Sequence, residues 1–543
     1  MAEPTPSGHE KFNFFQQILL IHLHILKKEV VCYFRWRVLE RQNSADFIPE
    51  LPWGGGKADF TARCRGGLVS LHKARSLLRW WGTKRKQQAK GQDMTTVNLD
   101  QALKINLPPA RRDLRPVSFE TSDSRRGWMT SFSGIRPIAT PAYDKGMLFV
   151  GGGYGSFEFV ALDAASGSVA WKTTTADDGP TAAVVEDDLV AFNTESCSII
   201  VCKTRNGEVV WQEWLGDPLM SQPAISKGKL FLAYPTGQRK GQSVTHRNHA
   251  MLCADLHTGR HIWEQPITGD VMTAPVINED QVFFTCYDGT AFCLDAEKGK
   301  VEWREKTDST AAPLVVENEV VMPEKRQTKD QVEEPVWRRH RNSGQRAHAR
   351  AMMSKKAAYL GESKSMSSGL EDDYCMDLDG SVGFASPPQA AKLKAAHRHV
   401  GVSTVAGAWA YQGSRASYSK GRYYQAGSGS VDCTDKETGQ SWKTEFTGKD
   451  VKIDDQIFTP PSMGKDYLYL CSRYGHLVSV NQDNGSTGFC YQTGHPMAFQ
   501  PCLAEGSVYV GTSQGSLVCL QTGADDASGW HMWGGNAQHN KTR

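Results

Sequence analysis

Leu162-Asp163-Ala164-Ala165-Ser166-Gly167-Ser168-Val169-Ala170-Trp171 and Leu294-Asp295-Ala296-Glu297-Lys298-Gly299-Lys300-Val301-Glu302-Trp303 share one pattern: an Asp, a Gly four residues on, and a Trp four further. Asp255, Gly259 and Trp263 repeat it. Lys203, Gly207 and Trp211 keep Gly and Trp but lose Asp. Asp435, Gly439 and Trp442 shorten the last step by one residue, and Asn481, Gly485 and Phe489 substitute related types. The pairs Trp171/Trp211 and Trp263/Trp303 are each 40 residues apart. Self-similarity at such a period marks a repeat architecture.

A second landmark precedes each of these. Pro-Ala-Tyr-Asp-Lys-Gly-Met-Leu-Phe-Val begins at Pro141, and related forms begin near Ala182, Pro223, Pro275, Pro313, Ala416, Pro461 and Pro501, making eight copies. The intervals are 41, 41, 52, 38, 103, 45 and 40 residues, so the fifth copy carries an insertion and the third a shorter one. Lys229–Tyr234 and Asp466–Leu470 are aromatic and apolar runs of strand type. Glycines such as Gly146, Gly228, Gly421 and Gly506 supply the turn before such a strand, and the Asp-x-x-x-Gly step supplies the next hairpin. Four short strands per forty residues is the length of one propeller blade. The spacing predicts an all-β, eight-bladed, WD40-like propeller with four-stranded blades. The aromatic Trp171, Trp211, Trp263, Trp303, Trp442 and Phe489, with Gly167, Gly207, Gly259, Gly299, Gly439 and Gly485, are read as blade-docking residues. A Trp ladder also suits a cofactor or sugar platform, but its regular period favours packing.

Composition narrows the class. The 543 residues include 51 Gly and 15 Trp, with 39% apolar and 22% charged residues, which excludes global disorder. No apolar stretch reaches the roughly 18 residues of a transmembrane helix. The net charge of +3 hides an asymmetry: residues 1–93 carry 16 basic and 8 acidic residues, and the remainder 46 basic and 51 acidic. The mildly acidic body gives no electrostatic case for nucleic-acid binding. The 13 cysteines follow no disulfide-scaffold spacing, and no Cys-x-x-Cys occurs. Cys253 and Cys519 lie in apolar runs and read as small buried hydrophobes.

Ala161-Leu162-Asp163-Ala164-Ala165-Ser166-Gly167-Ser168-Val169-Ala170-Trp171 resembles the blade signature Ala-x-Asp-x-x-Thr-Gly-x-x-x-Trp of the quinoprotein-type β-propeller repeat family, over roughly residues 127–540. The ending Trp530-His531-Met532-Trp533-Gly534-Gly535-Asn536-Ala537-Gln538-His539-Asn540 is similar to a terminal element of its bacterial quinone-repeat-like members. The resemblance implies one of three activities. The first is a noncatalytic scaffold or ligand-binding module, as in the propeller lipoprotein of outer-membrane protein assembly. The second is an alcohol or sugar dehydrogenase using pyrroloquinoline quinone and calcium. The third is a sensor partnered with a serine/threonine kinase system. The dehydrogenase reading lacks the adjacent-cysteine pair that closes the quinone pocket in many members, and it has no haem motif. Asn193-Thr194-Glu195 offers two calcium-ligand types, but a polar strand-end loop accounts for it. The kinase motifs are absent, and Gly151-Gly152-Gly153-Tyr154-Gly155 lies between strands, as a turn does. We therefore expect a noncatalytic, monomeric ring with no catalytic, cofactor or metal residues. Its expected partner is a protein or other macromolecule at the rim. The resemblance suggests the periplasm or cell exterior.

Outside the repeat, residues 1–93 are read as a basic extension with no folded role, Met94 as a candidate physiological start, and 94–126 as a lead segment. The apolar run at 12–26, interrupted by two His and two Gln, is a poor secretory signal. Residues 324–400 are read as an insertion in the fifth repeat. Its Lys325–Lys356 part carries 10 basic and 3 acidic residues, including Arg338-Arg339-His340-Arg341, and an acidic stretch follows at 371–380. Asp377, Asp379 and Gly380 match a calcium loop only in part. The expectation is that the two halves pair with each other, with partner binding left open.

Overall fold

The computed structural model describes the strands Ile18–Leu26, Glu29–Arg37, Thr61–Cys64 and Gly67–Ser70. It also describes most of residues 92–538, apart from 238–247, 358–415, 451–457, 524–531 and a few shorter stretches. The chain divides into two units, Met1–Gln88 and Ala89–Arg543. In the first, Ile18–Leu26 pairs antiparallel with Glu29–Arg37, and Thr61–Cys64 with Gly67–Ser70.

The second unit holds eight blades. Blade 1 consists of Ala142–Asp144, Met147–Gly151, Glu158–Asp163 and Val169–Thr174, each hydrogen-bonded to the next. Blades 2, 3, 4, 6 and 7 follow the same order at 184–214, 224–267, 276–306, 416–447 and 462–492, and blade 5, at 314–357, differs in that Val332–His340 pairs with Glu319–Pro323, Arg326–Gln327 and Met353–Ala357. Blade 8 takes three strands from 502–521 and its fourth, Arg126–Ser131, from the N-terminal side. The innermost strands of blades 8 and 1 are neighbours, which closes the ring.

Burial explains the strand composition. The second and third strands lie between neighbouring blades on both faces, so they are continuously apolar: Leu148, Phe149, Val150, Val160, Ala161 and Leu162 are all essentially inaccessible. Phe159 of blade 1 stacks on Phe192 of blade 2, with centroids 3.7 Å apart. The outer strand alternates, with Trp171 buried between exposed Ala170 and Lys172. The turn after the innermost strand has φ +46° at Lys145 and +79° at Gly146, the two positive angles that a two-residue hairpin of type I′ requires.

Residues 92–131 strap three blades in succession. Gln92–Asn98 adds a parallel fifth strand to the outer strand Ser441–Thr447 of blade 6. Leu103–Lys104 adds to Tyr491–Gln492 of blade 7, and Val117–Glu120 adds outside Arg126–Ser131 in blade 8. The strap buries Val97, Leu99 and Ile105. In blades 1 to 4 and in blade 7 the outer strand carries a bulge, as where Leu162 pairs with Val169 but Ala161 with Trp171. Blade 6 has none, because its Gly-to-Trp step is one residue shorter. An unbulged edge takes a seven-residue strap strand, whereas the bulged edge of blade 7 takes two residues beyond the bulge.

The described part of 324–400 belongs largely to blade 5. Arg326–Gln327, Val332–His340 and Met353–Ala357 are strands of that sheet. His340 to Gly344 forms the turn that Asp163 to Gly167 forms in blade 1, with Gly344 N–H donating to His340 C=O at 2.8 Å. The acidic stretch 371–380 lies outside the described residues.

Candidate functional site: seams, channel and outer edges

Six of the eight seams between blades repeat one contact. The indole of one blade lies on the turn glycine of the next, and its Nε1–H donates to the carbonyl three residues before that glycine. Trp171 donates to Thr204 at 2.7 Å, and a Cβ placed on Gly207 would meet its Cε3 at 2.5 Å. Trp211 sits on Gly259 and donates to Leu256 at 2.7 Å; Trp263 sits on Gly299 and donates to Ala296 at 3.0 Å. Trp442 sits on Gly485 and donates to Gln482 at 3.0 Å. Two partners were not among the residues picked from sequence. Gly167 receives Trp128, and Trp303 sits on Gly344 of the fifth copy, donating to Arg341 at 2.6 Å. An aromatic ring from the same blade's second strand stands about 6 Å behind the wedge in six blades, as Phe149 does behind Trp171.

Two seams differ. Gly439 has no atom within 4 Å of where its Cβ would be, because blade 5 carries His348, not Trp, four residues after its turn glycine. His348 instead meets Glu319 at 3.2 Å. At the seam between blades 7 and 8, Phe489 has no N–H. Arg125 from the strap lies 5.3 Å from the Phe489 ring centroid and donates Nη1–H to Thr522 C=O at 2.7 Å. Thr522 follows the third strand of blade 8 as Ala164, the acceptor of Trp128, follows that of blade 1.

The described arginines of the basic run in blade 5 are paired with carboxylates. Buried Arg339 donates Nε–H to buried Glu324 at 2.9 Å, and Arg346 donates to the other Glu324 oxygen at 2.6 Å while lying 3.8 Å over Trp337. Arg341 donates to Glu279 at 3.1 Å and also to Gln281. Arg339, Arg341 and Arg346 therefore pair with carboxylates of blades 4 and 5.

The terminal element reaches the axis. An innermost strand has one sheet neighbour, so its other edge faces the central channel. There Val185 N–H donates to Ala537 C=O at 2.7 Å, and Ile225 N–H to Gln538 C=O at 3.0 Å. Gln538 Nε2–H donates to Glu186 at 2.8 Å, and Met532 is fully buried in the core of blades 8 and 1. Gly534 and Gly535 both have positive φ, +67° and +83°, which accounts for the Gly-Gly pair.

Nucleophilic chemistry finds no support at the described residues. Burial pushes the Cys202, Cys253 and Cys519 thiols up to about 12. Ser472 Oγ lies 3.0 Å from His476 Nδ1, but it also accepts the N–H of His476 at 2.9 Å. Thr194 and Thr512 cap the corresponding turns of blades 2 and 8 in the same way. Thr194 also donates to Asp177, and Glu195 lies outside the described residues. Gly153 and Gly155 have positive φ in a turn against Arg136. A calcium-bound quinone needs converging carboxylate donors. Among the described residues no group of three His, Cys, Asp or Glu side chains is arranged to hold a metal ion. No described helix is long and apolar enough to cross a membrane.

A family model described as outer membrane protein assembly factor BamB matches residues 115–347 and 390–533. The BamB of Yersinia pestis is 25% identical over 165 residues, covering 27% of this chain and 39% of that protein. The BamB of Shewanella oneidensis is 24% identical over 215 residues, covering 35% of this chain and 52% of that protein. These alignments thus span about half or less of the curated relatives' length. The structure of BamB from Moraxella catarrhalis superposes with a TM-score of 0.44 at 14% identity, covering 72% of this chain and 97% of that one.

Proposed function

Because the chain belongs to the family of outer membrane protein assembly factor BamB, we propose that it is a noncatalytic scaffold that binds protein partners in outer membrane protein assembly, on the periplasmic side of that membrane. The observation that carries this reading is the family match across both the early and the late blades. The architecture supports it: a ring closed by one of its own N-terminal strands and held by repeated seams is a rigid platform, and rigid platforms carry partner sites on their edges and loops. The tail also supports it, since Ala537 and Gln538 take inward-facing N–H groups of blades 2 and 3 at the axis, where the alternative reading would seat a quinone.

The test is affinity purification of the tagged full-length chain from its native envelope after mild solubilisation. The proposal expects components of outer membrane protein assembly in stoichiometric amounts. Recovery of the chain free of them, from membranes in which that machinery is intact, would overturn it.

A further inference from the structure

The eight outer edges are treated unequally. Those of blades 6, 7 and 8 are covered by the strap. Blade 5 ends on Met353–Ala357, which carries Lys355 and Lys356, and lysine on an edge discourages strand pairing. Blade 4 exposes Glu302, Arg304 and Lys306 along its outer strand, and blade 3 places Pro266, which has no N–H, in its own. Among the described residues, the outer strands of blades 1 and 2 have no covering strand and no proline, and each carries a single charge. The outer strand of blade 2 reads Val209-Val210-Trp211-Gln212-Glu213-Trp214, with Val209 44% and Val210 40% exposed. Its Glu213 is held by His261 at 2.9 Å, and Lys172, the one charge of the blade 1 strand, is paired with Glu158 at 3.1 Å. Val169 of blade 1 is 38% exposed.

We propose that the outer strands Val169–Thr174 and Val209–Trp214 bind an extended segment of a partner protein by strand addition, continuing around the ring the interface that the strap makes on blades 6 to 8. The chain supplies the precedent. A single extended segment already tracks three successive blades, and on the bulged edge of blade 7 it pairs in parallel just past the bulge, where Ile105 N–H also donates to Gln492 C=O at 2.9 Å. The corresponding positions are Thr173 and Thr174 in blade 1, and Glu213 and Trp214 in blade 2. The partner segment is uncharged, with apolar side chains at alternate positions to lie against Val169, Val209, Val210 and Trp214. The inference rests on the scaffold reading and assigns it a surface.

The probe is a lysine-flanked peptide of alternating Val and Thr, added to the full-length chain and followed by hydrogen exchange. At ten times its Kd, exchange of outward-facing amides in 169–174 and 209–214 is expected to slow about tenfold, with amides of blades 6 to 8 unchanged. The double variant Val169→Lys/Val210→Lys, at exposed positions, should keep the melting temperature and lose the peptide. The same peptide with a central Pro should not bind. Absence of binding, protection elsewhere, self-association of the chain through these edges, or binding unaffected by the double variant would each overturn the proposal. If the double variant loses the peptide yet still co-purifies with the assembly components, the edge serves another segment and the scaffold reading stands. If the edge binds the peptide and no assembly component is recovered, the scaffold reading alone fails.

Discussion

Substituting Gly207 by Ala tests the seam contact against an internal control. Gly207 has φ +71°, where an L-residue pays about 1–2 kcal/mol. Its new methyl would lie 2.5 Å from Cε3 and 2.8 Å from Cζ3 of Trp171. Neither distance is tolerated, so the indole must withdraw and stretch its 2.7 Å bond to Thr204. Overpacking of this kind costs about 1–3 kcal/mol more. Gly439 has nearly the same φ, +67°, in the same turn of blade 6, but nothing within 4 Å. Gly439→Ala should therefore carry only the backbone term, about 1–2 kcal/mol. Urea unfolding of the two variants, followed by tryptophan fluorescence and circular dichroism, should separate them by about 1–3 kcal/mol. Equal destabilisation would refute the claim that indole-on-glycine packing holds the seams.

Four further outcomes follow from the same geometry. Trp303→Ala should cost about 3–5 kcal/mol through the cavity it leaves, whereas Trp303→Phe should cost about 1–3 kcal/mol, for the bond lost to Arg341; an unchanged urea midpoint in either would reject the role. Arg125→Ala should destabilise by about 1–3 kcal/mol, and adding Phe489→Trp should recover part of it, because an indole there can donate to Thr522 itself; no recovery in the urea midpoint would sink this reading. Partial burial pushes the His261 imidazole down, but its hydrogen bonds to Glu264 and Glu213 outweigh this and hold its pKa above the usual value. That raised pKa contributes stability that is full below the unfolded pKa of about 6.5 and lost as pH rises through the folded value, so His261→Gln should be less stable than the parent at pH 5.5 and close to it at pH 8.5, by thermal melts at both. Truncation before Met532 should accelerate amide exchange at Val185 and Ile225, whose acceptors it removes; unchanged rates would place the tail elsewhere.

The ring was legible because its two landmarks recur with the period of a blade. The seam partners were half legible. Trp128 belongs to the closing strand, which precedes the first turn glycine in sequence, so no Asp-x-x-x-Gly step announces it. Gly344 was hidden because its copy has His340 in place of Asp and His348 in place of Trp, inside a run read as an insertion whose basic half, with its arginines, pairs with the acidic stretch that follows. Those arginines find their carboxylates on another blade or another strand, a pairing that spacing along the chain cannot reveal. The shortened Gly-to-Trp step of blade 6 was visible in sequence. Its consequence, an unbulged edge that takes a seven-residue strap strand, needed the register to be seen. The strap itself has no repeat signature, because its first two strands borrow their partners from blades more than three hundred residues away and its third pairs with the closing strand Arg126–Ser131.

The central claim is that the ring is a platform and not a quinone enzyme. Titrating the full-length chain with pyrroloquinoline quinone and calcium, while following both binding and dye-linked alcohol oxidation, tests it most directly. The account predicts no saturable binding and no turnover, with the amides of Val185 and Ile225 as protected as before. Tight binding accompanied by turnover would contradict it.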